Sequence, residues 1–170
     1  MALEAKKTVD VRTSLVNHFT TVFGTMLNNE FKFKCNQSNH QITPIEPPTP
    51  VALASSLSVS CPAFTGTLIL GFSEKAFVSI VNTMFGESLS TITKDYQDFA
   101  AEMLNMSFGK AKSRFNQETS MTLEPAIPVV IEGSNMKMSL AKECTNWEAK
   151  YTSTEGHGEI ICILSLSPEK

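Results

Sequence analysis

At 170 residues and 42% apolar content the chain is long enough to fill one well-packed core, and it is expected to form a single domain over residues 1–170. A formal charge of -3, with no cluster of Lys or Arg, removes any electrostatic case for a nucleic-acid partner. The N-terminal segment has no apolar core of signal-peptide length and no apolar run could cross a bilayer, so a cytoplasmic protein without a membrane segment is expected.

Val9 to Asn28 carries Val11, Leu15, Val16, Phe19, Val22, Phe23, Met26 and Leu27 at helical spacing, with Thr8 or Asp10 as its cap. Gly24 interrupts its last turn, and His18 borders the stripe as a surface or packing residue. Phe31 and Phe33 alternate with Lys32 and Lys34, which predicts a short strand. Pro44, Pro47, Pro48 and Pro50 then exclude a helix and predict an extended connector.

Val51 to Phe72 reads as a β-hairpin turning at Cys61-Pro-Ala-Phe-Thr-Gly, its second strand apolar on both faces and so interior to a sheet. Ser73 caps a helix that runs to about Phe85, with Glu74 at its positive end and Gly86 closing it. A longer helix follows from Thr93 to Gln117. Beyond it, Pro125 and Pro128 put Ser120 to Glu132 at a sheet edge or a bulge. Gly133 to Asn135 is read as a turn, after which Met136, Met138 and Leu140 alternate as a further strand. Trp147 to Thr154 and Glu159 to Leu166 are two more strands, joined by a loop in which His157 stands between two glycines. The order predicts an α+β fold, three main helices packed on a mostly antiparallel sheet.

At about 100° per residue, Ala100, Leu104, Phe108, Ala111 and Phe115 of the long helix share one stripe, which predicts burial. Asp98, Glu102, Asn105, Gly109, Lys112 and Asn116 gather on another face. There Glu102 and Asn105 stand side by side one turn apart, and Gly109 leaves the next turn bare. A mid-helix Gly costs roughly 1 kcal/mol against Ala, so a packing or close-approach reason is expected for it. Cys35, Cys61, Cys144 and Cys162 are widely spaced and read as free thiols, and the scattered His18, His40 and His157 complete no metal-ligand pattern with them.

These residues carry a family resemblance. The chain resembles the CheX/CheC group of chemotaxis phosphatases, closest to the CheX-like domain with a single Glu-x-x-Asn motif. The resemblance rests on the first helix ending VFGTML, on Thr67-Leu-Ile-Leu-Gly-Phe-Ser73, on Ala101-Glu-Met-Leu-Asn-Met-Ser-Phe-Gly-Lys-Ala-Lys112, and on Ala126-Ile-Pro-Val-Val-Ile-Glu-Gly133. It implies a CheC/CheX-like fold and an aspartyl-phosphate phosphatase of two-component signalling. The partner it implies is the phosphorylated receiver domain of a CheY-like response regulator.

By the same resemblance, Glu102 docks the receiver by pairing with its active-site lysine, and Asn105 orients the attacking water. In such a docking the size of the side chains, and not the resemblance, lets Gly109 and the short Ser107 admit the partner's backbone, and places Asp98 and Lys112 for rim contacts with no catalytic part. The resemblance implies no cofactor of the chain's own, since Mg2+ is held by the receiver's carboxylates, and it implies a homodimer formed through sheet contacts. The alternative is a catalytically weak CheX-like adaptor or dimerisation module, against which the presence of Asn105 stands.

Overall fold

In the computed structural model, residues 10–38, 41–42, 50–124, 126–138 and 140–170 are described. The elements in chain order are α1 (Val11–Asn29), β1 (Cys35–Gln37), β2 (Gln41–Ile42), β3 (Val51–Ser60), β4 (Thr65–Phe72), α2 (Glu74–Phe85), α3 (Lys94–Thr119), β5 (Val129–Met136), β6 (Thr145–Ser153) and β7 (Glu159–Leu166). The strands form one antiparallel sheet in the order β1-β6-β7-β4-β3-β5, with β2 also paired to β6. Among the described residues no helix is long and apolar enough to cross a membrane.

Local chemistry sets the helix ends. Asp10 caps α1, its carboxylate accepting from the Arg12 amide at 2.9 Å. The Ser73 hydroxyl accepts from the Ala76 amide at 3.3 Å to open α2, and Gly86 closes that helix in the left-handed region at φ 71°. The same hydroxyl accepts from the Glu159 amide, and a β carbon on Gly158 would lie 2.4 Å from it, so glycine is required there. Thr93 takes the N-cap position of α3 without a side-chain cap bond, its hydroxyl buried and unpaired.

The main core fills the space between the helices and one face of the sheet. Phe19, Phe23, Phe31, Phe64, Phe72, Phe77 and Phe115 are essentially excluded from water there, each contributing about 1.5–3 kcal/mol of burial. Gly24 has a packing reason. A β carbon on it would lie 2.5 Å from Gln37 Oε1 and 3.1 Å from the ring of Tyr151, so the bare backbone lets α1 settle against β1 and β6.

β4 is interior, between β3 and β7, and its neighbours explain the apolar character of both its faces. Leu68 and Leu70 join the main core, while Ile69 joins Val51, Ala54, Ile161 and Ile163 in a second cluster on the opposite face, against Met136, Met138 and Leu140.

Three expectations are corrected. Phe31 and Phe33 are not in a strand: both are buried in the turn after α1, and pairing to β6 begins only at Cys35. The alternation reflects two rings anchored in the core, Phe31 edge-on to Phe99, with Lys32 between them at φ 56°. Nor do Gly133 to Asn135 turn the chain. β5 runs through them to Met136, and the irregularity they introduce is absorbed as a register shift opposite Val51 and Leu53; Met138 and Leu140 beyond it belong to no further strand, their alternation reflecting packing on the second cluster. β5 does lie at the edge of the sheet. Most of the proline-rich connector, with Pro44, Pro47 and Pro48, and also Pro125, falls outside the described residues.

Candidate functional site

α3 is held on both flanks. It runs antiparallel to α1, to which Ser14 and His18 join Glu118, and Glu30 joins Lys110. On the other flank Gln97 donates to Glu132 of β5 at 2.7 Å, and Asn116 Oδ1 accepts from the Leu123 amide at 3.2 Å. The approach to α3 is pinned by Asn82 of α2, whose amide group bonds both the N-H and the C=O of Leu89, at 2.8 and 2.9 Å. Ala100, Leu104, Phe108, Ala111 and Phe115 are buried as the stripe predicts, with Met103 and Ser107 added on the α1 side.

Opposite that buried face, Asp98, Glu102, Asn105 and Gly109 are exposed and Lys112 is partly buried. Among the described residues neither Glu102 nor Asn105 has a hydrogen-bond or ion-pair partner. Their α-carbons are separated by a rise of about 4.5 Å along a helix bonded to α1 on one flank and to β5 on the other. Around Gly109 a β carbon would meet nothing within 4 Å. No internal contact asks for glycine, so the roughly 1 kcal/mol of lost helix propensity has no return inside the chain.

Two side chains expected on this surface are elsewhere. Ser107 is fully buried and donates to Met103 C=O at 2.7 Å, so it cannot open the surface to a partner. Its position beside Met103 turns it toward Met26 of α1. Asn116 is only partly exposed, because its carboxamide closes the turn that follows α3. The sequence reading also passed over Met106, next to Asn105 and exposed. An apolar residue beside a polar strip was its only signal.

The face is polarised along the helix. Asp98 and Glu102 precede Asn105 and Gly109 on it, and Lys112 follows them. The arrangement also complements the helix dipole. It is a ridge, not a pocket. A cavity of about 430 Å³ lined by Glu74, Asn82 and His157, and one of about 560 Å³ lined by Ser73, Ile92 and Glu132, include neither Glu102 nor Asn105. Among the described residues no three His, Cys, Asp or Glu side chains are grouped to hold a metal ion.

A neutral carboxamide can accept a hydrogen bond from one group and donate to another, so it can hold a water molecule in a chosen direction without changing protonation. A carboxylate one turn away can pair with a cation. On an open ridge neither encloses a reactant. Any chemistry here needs walls and charge supplied by a second molecule.

The family model for chemotaxis phosphatase CheX matches residues 59–152, more than half of the chain, and α3 lies within that span. No curated protein sequence matches. Among solved structures, a CheC-like chemotaxis protein of Shewanella oneidensis MR-1 is similar with a TM-score of 0.83 at 20% identity, over 92% of this chain and 99% of that one. The chemotaxis protein CheX of Vibrio vulnificus gives 0.81 at 20% identity, over 90% and 99%. The CheX of a CheX-CheY-BeF3-Mg2+ complex from Borrelia burgdorferi gives 0.67 at 13% identity, over 94% and 99%. At these identities the structural matches speak for the fold.

Proposed function

This chain belongs to the CheX family of chemotaxis phosphatases, and from that premise we propose that it hydrolyses the aspartyl phosphate of a CheY-like receiver domain, with Glu102 docking the receiver and Asn105 directing the water. The observation that carries the reading is the unpartnered Glu102 and Asn105, side by side on a clamped and otherwise convex helix. Such a ridge has the shape to enter another protein's pocket. The Borrelia relative in complex with CheY, beryllofluoride and magnesium supports the class of partner.

An aspartyl phosphate is a mixed anhydride. Its hydrolysis needs an in-line water and compensation of charge on the transferring phosphoryl group more than it needs a strong base. The Asn105 carbonyl accepts a hydrogen bond from the water and aims the oxygen lone pair at phosphorus. The new P-O bond forms as the bond to the aspartate oxygen breaks, leaving the receiver's carboxylate and inorganic phosphate, with the water proton released to solvent or phosphate. Magnesium, held by the receiver's own carboxylates and by no residue of this chain, would supply neutralisation of the phosphoryl charge. Glu102, paired to the receiver's lysine, sets the register that brings Asn105 to the phosphorus. Gly109 removes the side chain that would hold the two surfaces apart, with Asp98 and Lys112 at the rim.

The test is phosphate release from receivers charged with a small-molecule phosphodonor. Asn105→Ala is expected to lower the accelerated rate at saturating receiver by about 100-fold or more, as loss of a water-positioning group in the transition state does. Glu102→Ala raises the half-saturating receiver concentration. Acceleration unchanged in Asn105→Ala, with receiver binding retained, would leave an adaptor in place of an enzyme.

A further inference from the structure

The large apolar side chains most exposed on the helical layer are Met84 and Phe85 at the end of α2 and Met106 on α3, at 38%, 48% and 36%. Single exposed apolar residues are ordinary on protein surfaces. Phe85 and Met106 are not dispersed. Phe85 packs against Tyr96 and Phe99 with ring centroids 5.2 and 5.0 Å away. Phe99 in turn stands one turn before Glu102, and Met106 one turn after it, on the same flank of α3. An apolar shoulder about 10 Å long therefore runs beside Glu102 and Asn105, on the flank nearer α1. Phe85 is held in place by its ring contacts, yet half of it faces water.

The charges bordering the shoulder are mostly of one sign. Glu87, Asp95 and Asp98 are exposed there; Glu87 accepts from Tyr96 Oη, Lys110 of the same flank is paired with Glu30, and Lys32 donates to Asn29 C=O. A complementary surface presents an aliphatic or aromatic side chain with Lys or Arg beside it.

We propose that Phe85, Phe99 and Met106 form a second docking point for the receiver engaged by Glu102 and Asn105, seating an apolar side chain of the receiver that lies just outside its phosphorylation pocket and is flanked by basic residues. The inference rests on the receiver-phosphatase reading, because continuity with the Glu102–Asn105 ridge is what selects the receiver as occupant. It extends that reading by separating selection from chemistry. Every aspartyl-phosphate pocket presents similar charges to Glu102 and Asn105, whereas the shoulder reads residues outside the pocket and so discriminates among receivers.

The probe is a CheY-like receiver from the same organism, held in its active form with beryllofluoride and magnesium. Affinity is measured by titration calorimetry, and phosphate release is measured on the phosphorylated receiver. Met106→Glu, on the solvent face of α3, is expected to weaken binding at least ten-fold and raise the half-saturating concentration equally, leaving turnover at saturation within two-fold. Phe85→Ser is expected to do the same, with thermal unfolding confirming that the variant is folded, and raised salt should weaken binding of the parent.

Binding of Met106→Glu within two-fold of the parent overturns the inference and leaves the phosphatase reading intact. A parent that neither binds nor dephosphorylates any such receiver overturns both. If the substitutions instead dissociate a dimer in sedimentation and leave receiver affinity unmoved, the shoulder belongs to self-association and the inference fails.

Discussion

Gly109 lies one turn beyond Asn105 on the exposed face of α3, and a β carbon built on it would touch nothing in the chain. The two residues thus share a surface on which one side chain projects and the next is withheld. Gly109→Ala is expected to stabilise the protein by about 0.5–1 kcal/mol, the ordinary gain of helix propensity. A longer replacement, Gly109→Gln, should keep that fold while raising the half-saturating receiver concentration. Urea unfolding and receiver titration separate the two effects. Destabilisation by Ala would mean that the glycine serves the interior.

Gly66 makes the opposite prediction for the same substitution. A β carbon there would sit 2.2 Å from Ser165 C=O and 2.9 Å from Leu166 Cα, both backbone atoms of β7 that cannot rotate away. Gly66→Ala must push β4 and β7 apart where their pairing begins, at a cost of about 2–3 kcal/mol. The midpoint of urea unfolding should fall with little change in slope. An unmoved midpoint would show that the strands separate freely at this position.

The clamp between α1 and α3 is acid-sensitive in a defined direction. The Ser14 hydroxyl, donating at 2.6 Å, and after it His18, hold the Glu118 carboxyl below the ordinary carboxylate range. A group whose folded pKa is depressed adds stability that is complete above its unfolded value, about 4.3, and is lost as pH falls through the folded value. Asp10 acts in the same sense, its carboxyl lowered first by the hydrogen bond from Arg12. Since the Glu118 side chain is 52% exposed, its share is below about 1 kcal/mol. Unfolding free energies measured from pH 7 down to pH 3 should therefore fall less steeply in Glu118→Gln than in the parent. Parallel curves would remove Glu118 from the acid response.

Much of the framework was legible without coordinates because the relevant forces act within a few residues. Ser73 and Gly86 bound α2 through a cap bond and a left-handed turn made by the residues themselves. The stripe from Ala100 to Phe115 is buried because period 3.6 and one-sided apolarity admit only that packing. The hairpin pairs and the interior place of β4 follow from alternation and from a run with no polar face.

What the chain could not disclose locally is which flank of each element a neighbour covers. Phe31 and Phe33 alternate like strand residues because two core sockets happen to lie two residues apart, and Ser107 is hidden because α1 lies over that flank of α3. Asn116 leaves the polar face to bond a backbone amide seven residues on. Met106 remains outside because α1 is already engaged by Met103 and Ser107, leaving the next position uncovered. The sequence by itself determined the three helices, the β3–β4 hairpin, the last two strands and the pairing of Glu102 with Asn105 on one helical face, since helix geometry alone puts i and i+3 together. Only the tertiary structure decided that this face stays bare, because exposure is set by distant elements that pack or fail to pack against it.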